Sequence, residues 1–258
     1  MRKALSTMAF INLYKPPTPE KQSLSTLQED GLYDINFAFR LPAILETSRV
    51  KLIPFIPSRH AQPFFDATRG HNLFHHIPFL LTTIEEFLEF VEWIRSQSIA
   101  ILMLIIDKTK ADLNHDLGGS MAGIIGLLHT SERNLSTEIG PVVILPAFQH
   151  THVSSNAIGL MVHYCFDLPI VGGLGFRRVQ WTTNPTNLAS VKVAEKIGFV
   201  HEGTMRWTWV LPEGKEGKMA RVGDPLGRLG RDSVLLAVCW EDWEGGARER
   251  VDELMQRV

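Results

Sequence analysis

Eight consecutive apolar residues, IAILMLII at positions 99–106, are the longest uninterrupted apolar run in the 258-residue chain. Crossing a bilayer takes about 20 such residues, so the run reads as a strand rather than a membrane span. What precedes it is helical. In residues 82–97, Ile84, Phe87, Leu88, Val91 and Ile94 recur at steps of three and four, and Thr83 with Glu86 fits a capping box. Before that, RVKLIPFIP (residues 49–57) alternates as a strand. A helix follows, with Ser58 as its expected N-cap and Gly70 as its stop. After the run, strands are expected at residues 119–128 and 138–145. Two strand–helix units then follow, the second with a strand at 177–183 and a helix NLASVKVAEKI closed by Gly198, with Phe199 packing back near Ala194. Strands at 200–211 and 232–240 flank a glycine-rich loop, and a charged C-terminal helix ends the chain. Helices first, then a meander of strands, then strand–helix units predict an α/β (α+β) fold, with a mixed central sheet and flanking helices.

The remaining composition narrows the class. A 45% hydrophobic chain can bury a sizeable core, and a net charge of −2 gives no global field for nucleic acid or an anionic membrane. Cys165 and Cys239 both lie in apolar runs and read as buried thiols of a reducing compartment, so the expected location is cytoplasmic. The start MRKALSTMAF lacks the long apolar core and cleavage pattern of a signal peptide. Residues 1–46 read as an N-terminal extension, with a proline-rich loop in YKPPTPEKQS and one short strand in INFAFRLP. The compact domain is expected over residues 47–258.

Four motifs fall short of a site. GGSMA at 118–122 is one residue from a nucleophile elbow, but a strand-like GIIGLL follows where a helix is required. GGLGF at 172–176 lacks the spacing and preceding strand of a dinucleotide fingerprint. His71 and His75 are four apart without an evident third ligand, and His150 with His152 fares no better, so no metal is expected.

Two segments carry more. In LPAFQHTHVSSNAIGL an apolar run stops at Pro146 and a helix is expected to open at Ser154 or Ser155. The main-chain N–H groups of residues 149–155 then converge at a helix N-terminus, where donors and the macrodipole together suit an anion. In NPTNLASVKVAEKIGF, Asn187 and Ser190 sit three apart at a helix start and face one side, at the same end of the sheet. Asn187 reads equally as a plain N-cap and Ser190 as a surface hydroxyl. Trp207 and Trp209 share a face by alternation and, with Trp181, line either an acceptor pocket or a plain core. The loop over residues 212–230 reads as a lid or a solvated connection.

EIGPVVILPAFQHTHVSSNAIGL, NPTNLASVKVAEKIGFVHEGTMRW and RDSVLLAVCWEDW together resemble the GCN5-related N-acetyltransferase (GNAT) superfamily, in the branch of ribosomal-protein alanine N-acetyltransferases. The likeness covers residues 47–243. Asn187, Ser190, Lys196, Gly198, Phe199, Glu202, Gly203 and Arg206 match its most specific stretch. The resemblance implies a GNAT fold in which two parallel strands, residues 138–145 and 177–183, splay apart to admit the pantetheine arm of acetyl-CoA. It maps the pyrophosphate loop onto Gln149, His150, Thr151, His152, Val153 and Ser154, with Ser155 beside it, and keeps Gln149 while placing His152 and Ser154 at small-residue positions. The His152 ring then points outward, supplies a donor when protonated, or blocks the cofactor.

Asn187, Ser190 and Lys196 complete the cofactor contacts that the resemblance implies. The resemblance implies that backbone N–H groups at Val143, Ile144 and Leu145 polarise the thioester carbonyl and that Ser190 protonates the leaving sulfur; Glu138 reads equally as the acceptor of the amine proton or as an exposed strand-end carboxylate. Neutralising an α-amine of pKa about 7.7 at pH 7 costs about 1 kcal/mol, against about 4.6 for a lysine amine, which favours an α-amine or a small, low-pKa amine. The expected partners are acetyl-CoA and an amine acceptor, a protein N-terminus or a small molecule, with the chain a monomer or homodimer and neither nucleic acid nor membrane involved. The alternative is a non-catalytic GNAT-fold module that binds acyl-CoA.

Overall fold

The computed structural model describes residues 32–111 and 117–257. Eight strands form one sheet: β1 (Leu45–Glu46), β2 (Val50–Pro54), β3 (Ile101–Asp107), β4 (Ser120–Ser131), β5 (Ser136–Ile144), β6 (Arg178–Thr183), β7 (Val200–Val210) and β8 (Gly230–Cys239). Their spatial order is β1-β2-β3-β4-β5-β6-β8-β7, and β5 with β6 is the parallel pair in an otherwise antiparallel sheet. Helices α1 (Pro57–Thr68), α2 (Ile84–Arg95), α3 (His152–Phe166), α4 (Leu188–Ile197), the short α5 (Trp240–Asp242) and α6 (Arg248–Gln256) flank it.

The apolar run at 99–106 explains the layering. Every residue of β3 is buried, which a strand achieves only when both faces are covered. Ile101, Met103 and Ile105 join a core with α3, α4 and α6, while Leu102, Leu104 and Ile106 join a second core beneath α1 and α2. The expected strand in INFAFRLP is absent, because β1 lies just beyond it. Ile35, Phe37, Phe39 and Leu41 instead pack without pairing against the first core, and the Tyr164 hydroxyl donates to Arg40 O at 2.6 Å. The proline-rich segment lies outside the described residues. No helix among the described residues is long and apolar enough to cross a membrane. Cys165 is buried as expected and Cys239 only partly so; neither is in a disulfide.

Local signals mostly hold. Thr83 and Glu86 form the capping box of α2, and Gly198 (φ +118°) closes α4 with Phe199 N–H donating to Ala194 O at 3.0 Å. Two caps differ. Helix α1 begins at Pro57, so Ser58 lies inside it. Its N-cap, Ile56, has no side-chain oxygen, and its N–H donates to His60 Nδ1 at 2.9 Å. Helix α3 begins at His152 rather than at the serines, because Thr151 caps it and accepts the Val153 N–H.

Candidate active site

Strands β5 and β6 pair only at Ser136–Arg178, Thr137–Val179 and Glu138–Gln180. Beyond Glu138 they diverge, and β6 stays bound through its whole length to β8 on its other side. The edge of β5 from Ile139 onward is thereby left open. A register shift against β4 sets the curvature, with Gly140 and Pro141 looped out between Ile139 and Val142. Gly126 of β4 lies beneath that loop. A Cβ there would stand 2.5 Å from Ile101 O and 2.8 Å from Gly140 O, so only glycine admits this approach.

The open edge presents different main-chain groups from those expected. Leu145 N–H donates to Ala122 O at 2.9 Å, so it is already engaged by β4. Antiparallel alternation then turns Val143 toward β4 as well, and directs the N–H groups of Val142 and Ile144 to the gap. Val142 and Ile144, not Val143 and Leu145, are the available donors. Ile144 O receives the Gln149 side-chain amide at 3.0 Å.

The loop after β5 forms a single 3-10 turn, Pro146–Phe148, and enters α3 through His150, which takes a left-handed φ of +60°. Thr151 Oγ1 ties back to Phe148 O at 2.7 Å. The first-turn N–H groups of His152 and Ser154 have no acceptor within the helix and lie at its start. Ser155 Oγ donates back to His152 O at 3.1 Å, and Val153 is fully buried in the core, so neither side chain faces a ligand. The His152 ring sits 3.3 Å from the buried Asp107 at the end of β3. Strand β3 lies two places from β5 on the side away from β6, so the imidazole is turned from the gap.

Glu138 is 7% exposed, with Thr182 Oγ1 donating to one carboxylate oxygen at 2.5 Å and Gln180 Nε2 to the other at 3.1 Å. On β6, Gln180 and Thr182 face one side of the sheet and Trp181 the other. Trp181 Nε1 donates to Ser190 Oγ at 2.9 Å, and Ser190 N–H donates to the Asn187 cap at 3.2 Å. The carboxylate and the hydroxyl therefore approach the splay from opposite faces. Lys196 is exposed in the last turn of α4, about 13 Å along the axis from Asn187 at 1.5 Å per residue, and does not join them.

A cavity of about 160 Å³ opens between the diverging strands, with Glu138, Ser190 and Asn187 in its wall. Phe79, Phe90, Trp93 and Trp209 line its apolar end. Phe79 contacts Trp93 and Trp209 with ring centroids 5.0 and 5.7 Å apart. Trp181 and Trp209 are thus pocket residues, while Trp207 is not. The register shift between Met205 and Trp209 breaks the alternation, and Trp207 adopts φ +57° and is 53% exposed. The glycine-rich connection is tethered to the segment that bounds the cavity, through Lys215 Nζ donating to Phe74 O at 2.8 Å. His76 and Arg231, absent from the sequence reading, also line the cavity. Counting back by two from the strand's apolar run would have put Arg231 and Ser233 on one face.

No group of three histidine, cysteine or acidic side chains placed to hold a metal ion occurs among the described residues.

The acetyltransferase (GNAT) domain model matches residues 49–200. The chain belongs to the GNAT acetyltransferase family. Among solved structures it is similar to a GCN5-related N-acetyltransferase from Brucella melitensis, at 23% identity and a TM-score of 0.65 over 82% of this chain and 85% of that one. It is similar in fold to Mycobacterium smegmatis RimJ in complex with CoA-disulfide (16% identity, TM-score 0.57, covering 79% and 88%). The same holds for spermidine N-acetyltransferase from Vibrio cholerae in complex with CoA and spermine (14% identity, TM-score 0.55, covering 77% and 99%). No curated protein sequence matches the chain.

Proposed function

We propose that the protein transfers the acetyl group of acetyl-CoA to the amine of a small molecule seated in the cavity between β5 and β6. The observation that carries this reading is the divergence of the two strands after Glu138, with a buried carboxylate on one side of the opening and a hydroxyl on the other. The residues fit the co-substrate. The open edge of β5 offers main-chain N–H groups to a pantetheine arm, the start of α3 offers donors to a diphosphate, and His152 is held aside by Asp107. When bound, acetyl-CoA supplies the activated thioester.

The chain's own groups do the rest. Val142 and Ile144 N–H groups point to where the carbonyl oxygen gains charge, which lowers the barrier most in a water-poor site. Glu138 accepts the proton of the attacking amine, directly or through one water. The indole N–H only donates, so the bond from Trp181 leaves the Ser190 hydroxyl hydrogen free to pass to the departing sulfur. The aromatic lining and modest volume of the cavity support a small acceptor rather than a protein N-terminus.

The test is acetyl transfer, followed as CoA thiol release, over a panel of small amines and N-terminal peptides, with acetyl-CoA calorimetry beside it. Turnover of small amines above the hydrolysis rate supports the reading. Tight binding with no turnover on any amine favours an acyl-CoA-binding module, which His152 and Ser154 at the small-residue positions of the loop would suit. No binding at high micromolar acetyl-CoA removes both.

A further inference from the structure

Arg231 is 8% exposed at the end of the cavity, yet no carboxylate pairs with it among the described residues. Its Nη1 donates to His76 O at 2.6 Å and its Nη2 to Ser233 Oγ at 3.1 Å, both neutral acceptors. Its Nε is buried with no partner at all. An arginine stays charged in a protein, and a buried cation with no carboxylate in direct contact is costly to maintain. A second orphan lines the same cavity: His76 Nδ1 is buried and unpartnered. Glu138 lies close enough to act on Arg231 through space, but both its oxygens are held by Thr182 and Gln180.

Resting on the acetyl-transfer reading above, we propose that the acceptor is an amine that also carries a carboxylate, and that Arg231 is the residue that selects it. Nε–H and the second hydrogen on Nη2 form the side-on edge of the guanidinium, a fork that takes a planar carboxylate through two parallel hydrogen bonds. The aromatic end formed by Phe79, Trp93 and Trp209 receives the apolar body, and a cavity of this size holds about one ring or a short aliphatic chain. The acceptor is therefore an amino acid or a similar zwitterion. A monoanion suits the place better than a phosphate dianion, because Glu138 is charged nearby. The arrangement also helps the chemistry. Neutralising the carboxylate and placing a cation near the ammonium both favour the uncharged amine that must attack the thioester.

The deciding experiment uses the wild-type protein and matched acceptor pairs that differ only by a carboxylate: L-phenylalanine against 2-phenylethylamine, L-leucine against 3-methylbutylamine, and 4-aminobutanoate against propylamine. The three pairs span two amine–carboxylate spacings and three apolar bodies. A kcat/KM preference of about 100-fold or more for the acid in at least one pair is expected, the scale on which a buried polar group left unpaired rejects a ligand. Arg231→Gln should collapse that preference toward unity and move the acidic limb of the kcat/KM profile to higher pH, with Arg231→Lys partly restoring both. Equal or better turnover of every decarboxylated amine overturns the assignment of Arg231 while leaving acetyl transfer intact. No turnover of any amine removes acetyl transfer itself, and this inference with it. Because Arg231 also holds His76 O, a variant that fails to fold changes nothing: the wild-type ratios alone decide.

Discussion

The indole N–H of Trp181 donates to Ser190 Oγ across 2.9 Å, fixing a side chain on β6 to the first turn of α4. The bond orients the hydroxyl without consuming its hydrogen. Ser190→Ala should therefore lower kcat by about 100-fold or more, the lower range for loss of a positioned proton donor. Trp181→Phe keeps the ring and loses only the orienting bond, and should lower kcat by about 3- to 10-fold. Steady-state kinetics with acetyl-CoA varied separates kcat from KM. Full kcat in Ser190→Ala would show that the sulfur takes its proton from water.

Glu138 is set differently. Thr182 and Gln180, two residues apart on one face of β6, each hold one of its oxygens, and the pairing of β5 with β6 ends at that residue. The carboxylate therefore stands where the sheet opens. Glu138→Gln retains the shape and removes the proton acceptor, so kcat should fall by about 10²- to 10⁴-fold. Acetyl-CoA affinity, measured by calorimetry, should stay nearly constant, since no cofactor-facing main-chain group is disturbed. Equal losses in affinity and turnover would recast Glu138 as a structural anchor of the splay.

His152 poses a question of access. Its Nε2 lies 3.3 Å from Asp107 Oδ1, and the same oxygen accepts the Thr109 N–H at 2.9 Å and its hydroxyl at 2.7 Å. A ring held there is turned from the gap between β5 and β6. His152→Ala should leave the acetyl-CoA Kd within about threefold, under about 0.7 kcal/mol. Asp107→Asn weakens the hold on the ring and should raise the Kd more than His152→Ala does. If His152→Ala instead tightens binding more than tenfold, the imidazole obstructs the slot.

Most of the scaffold is legible from residues because its signals are local. The capping box at Thr83 and Glu86 and the left-handed stop at Gly198 need only their own turn, and the 99–106 run needs only two covered faces. What escapes is set by neighbours distant in sequence. Ser58 is a local exception, because Pro57 takes the first helical position and leaves Ser58 inside the helix. Trp207 turns outward because β7 slips against β8, which alternation cannot foresee. Glu138, Ser190 and Asn187 line one cavity, while Lys196 lies a helix length away. The N–H groups of Val143 and Leu145 face β4 instead of the gap, since the side each N–H takes depends on pairing with Ala122 and Ile124. Arg231 is invisible locally, because its meaning lies in a guanidinium that no carboxylate pairs with among the described residues.

His60 gives the fold a defined sensitivity to acid. It is 4% exposed, its ring meets Phe55 edge-on at 5.5 Å, and its Nδ1 accepts the Ile56 N–H at the start of α1. Burial, with a smaller contribution from Arg59, pushes its pKa down from 6.5 to about 4. The unfolded chain therefore binds this proton more readily than the folded one. The stability it contributes is fully present above pH 6.5 and is lost as the pH falls toward 4, where protonation also removes the acceptor for Ile56. A shift of this size corresponds to about 3 kcal/mol. Urea unfolding of the wild type should lose about 2 to 3 kcal/mol more between pH 7.5 and pH 4.5 than unfolding of His60→Gln, whose neutral amide can still accept the helix-start N–H but does not titrate. Equal pH slopes in the two proteins would mean that the ring finds water on protonation, and that the start of α1 opens before the domain unfolds.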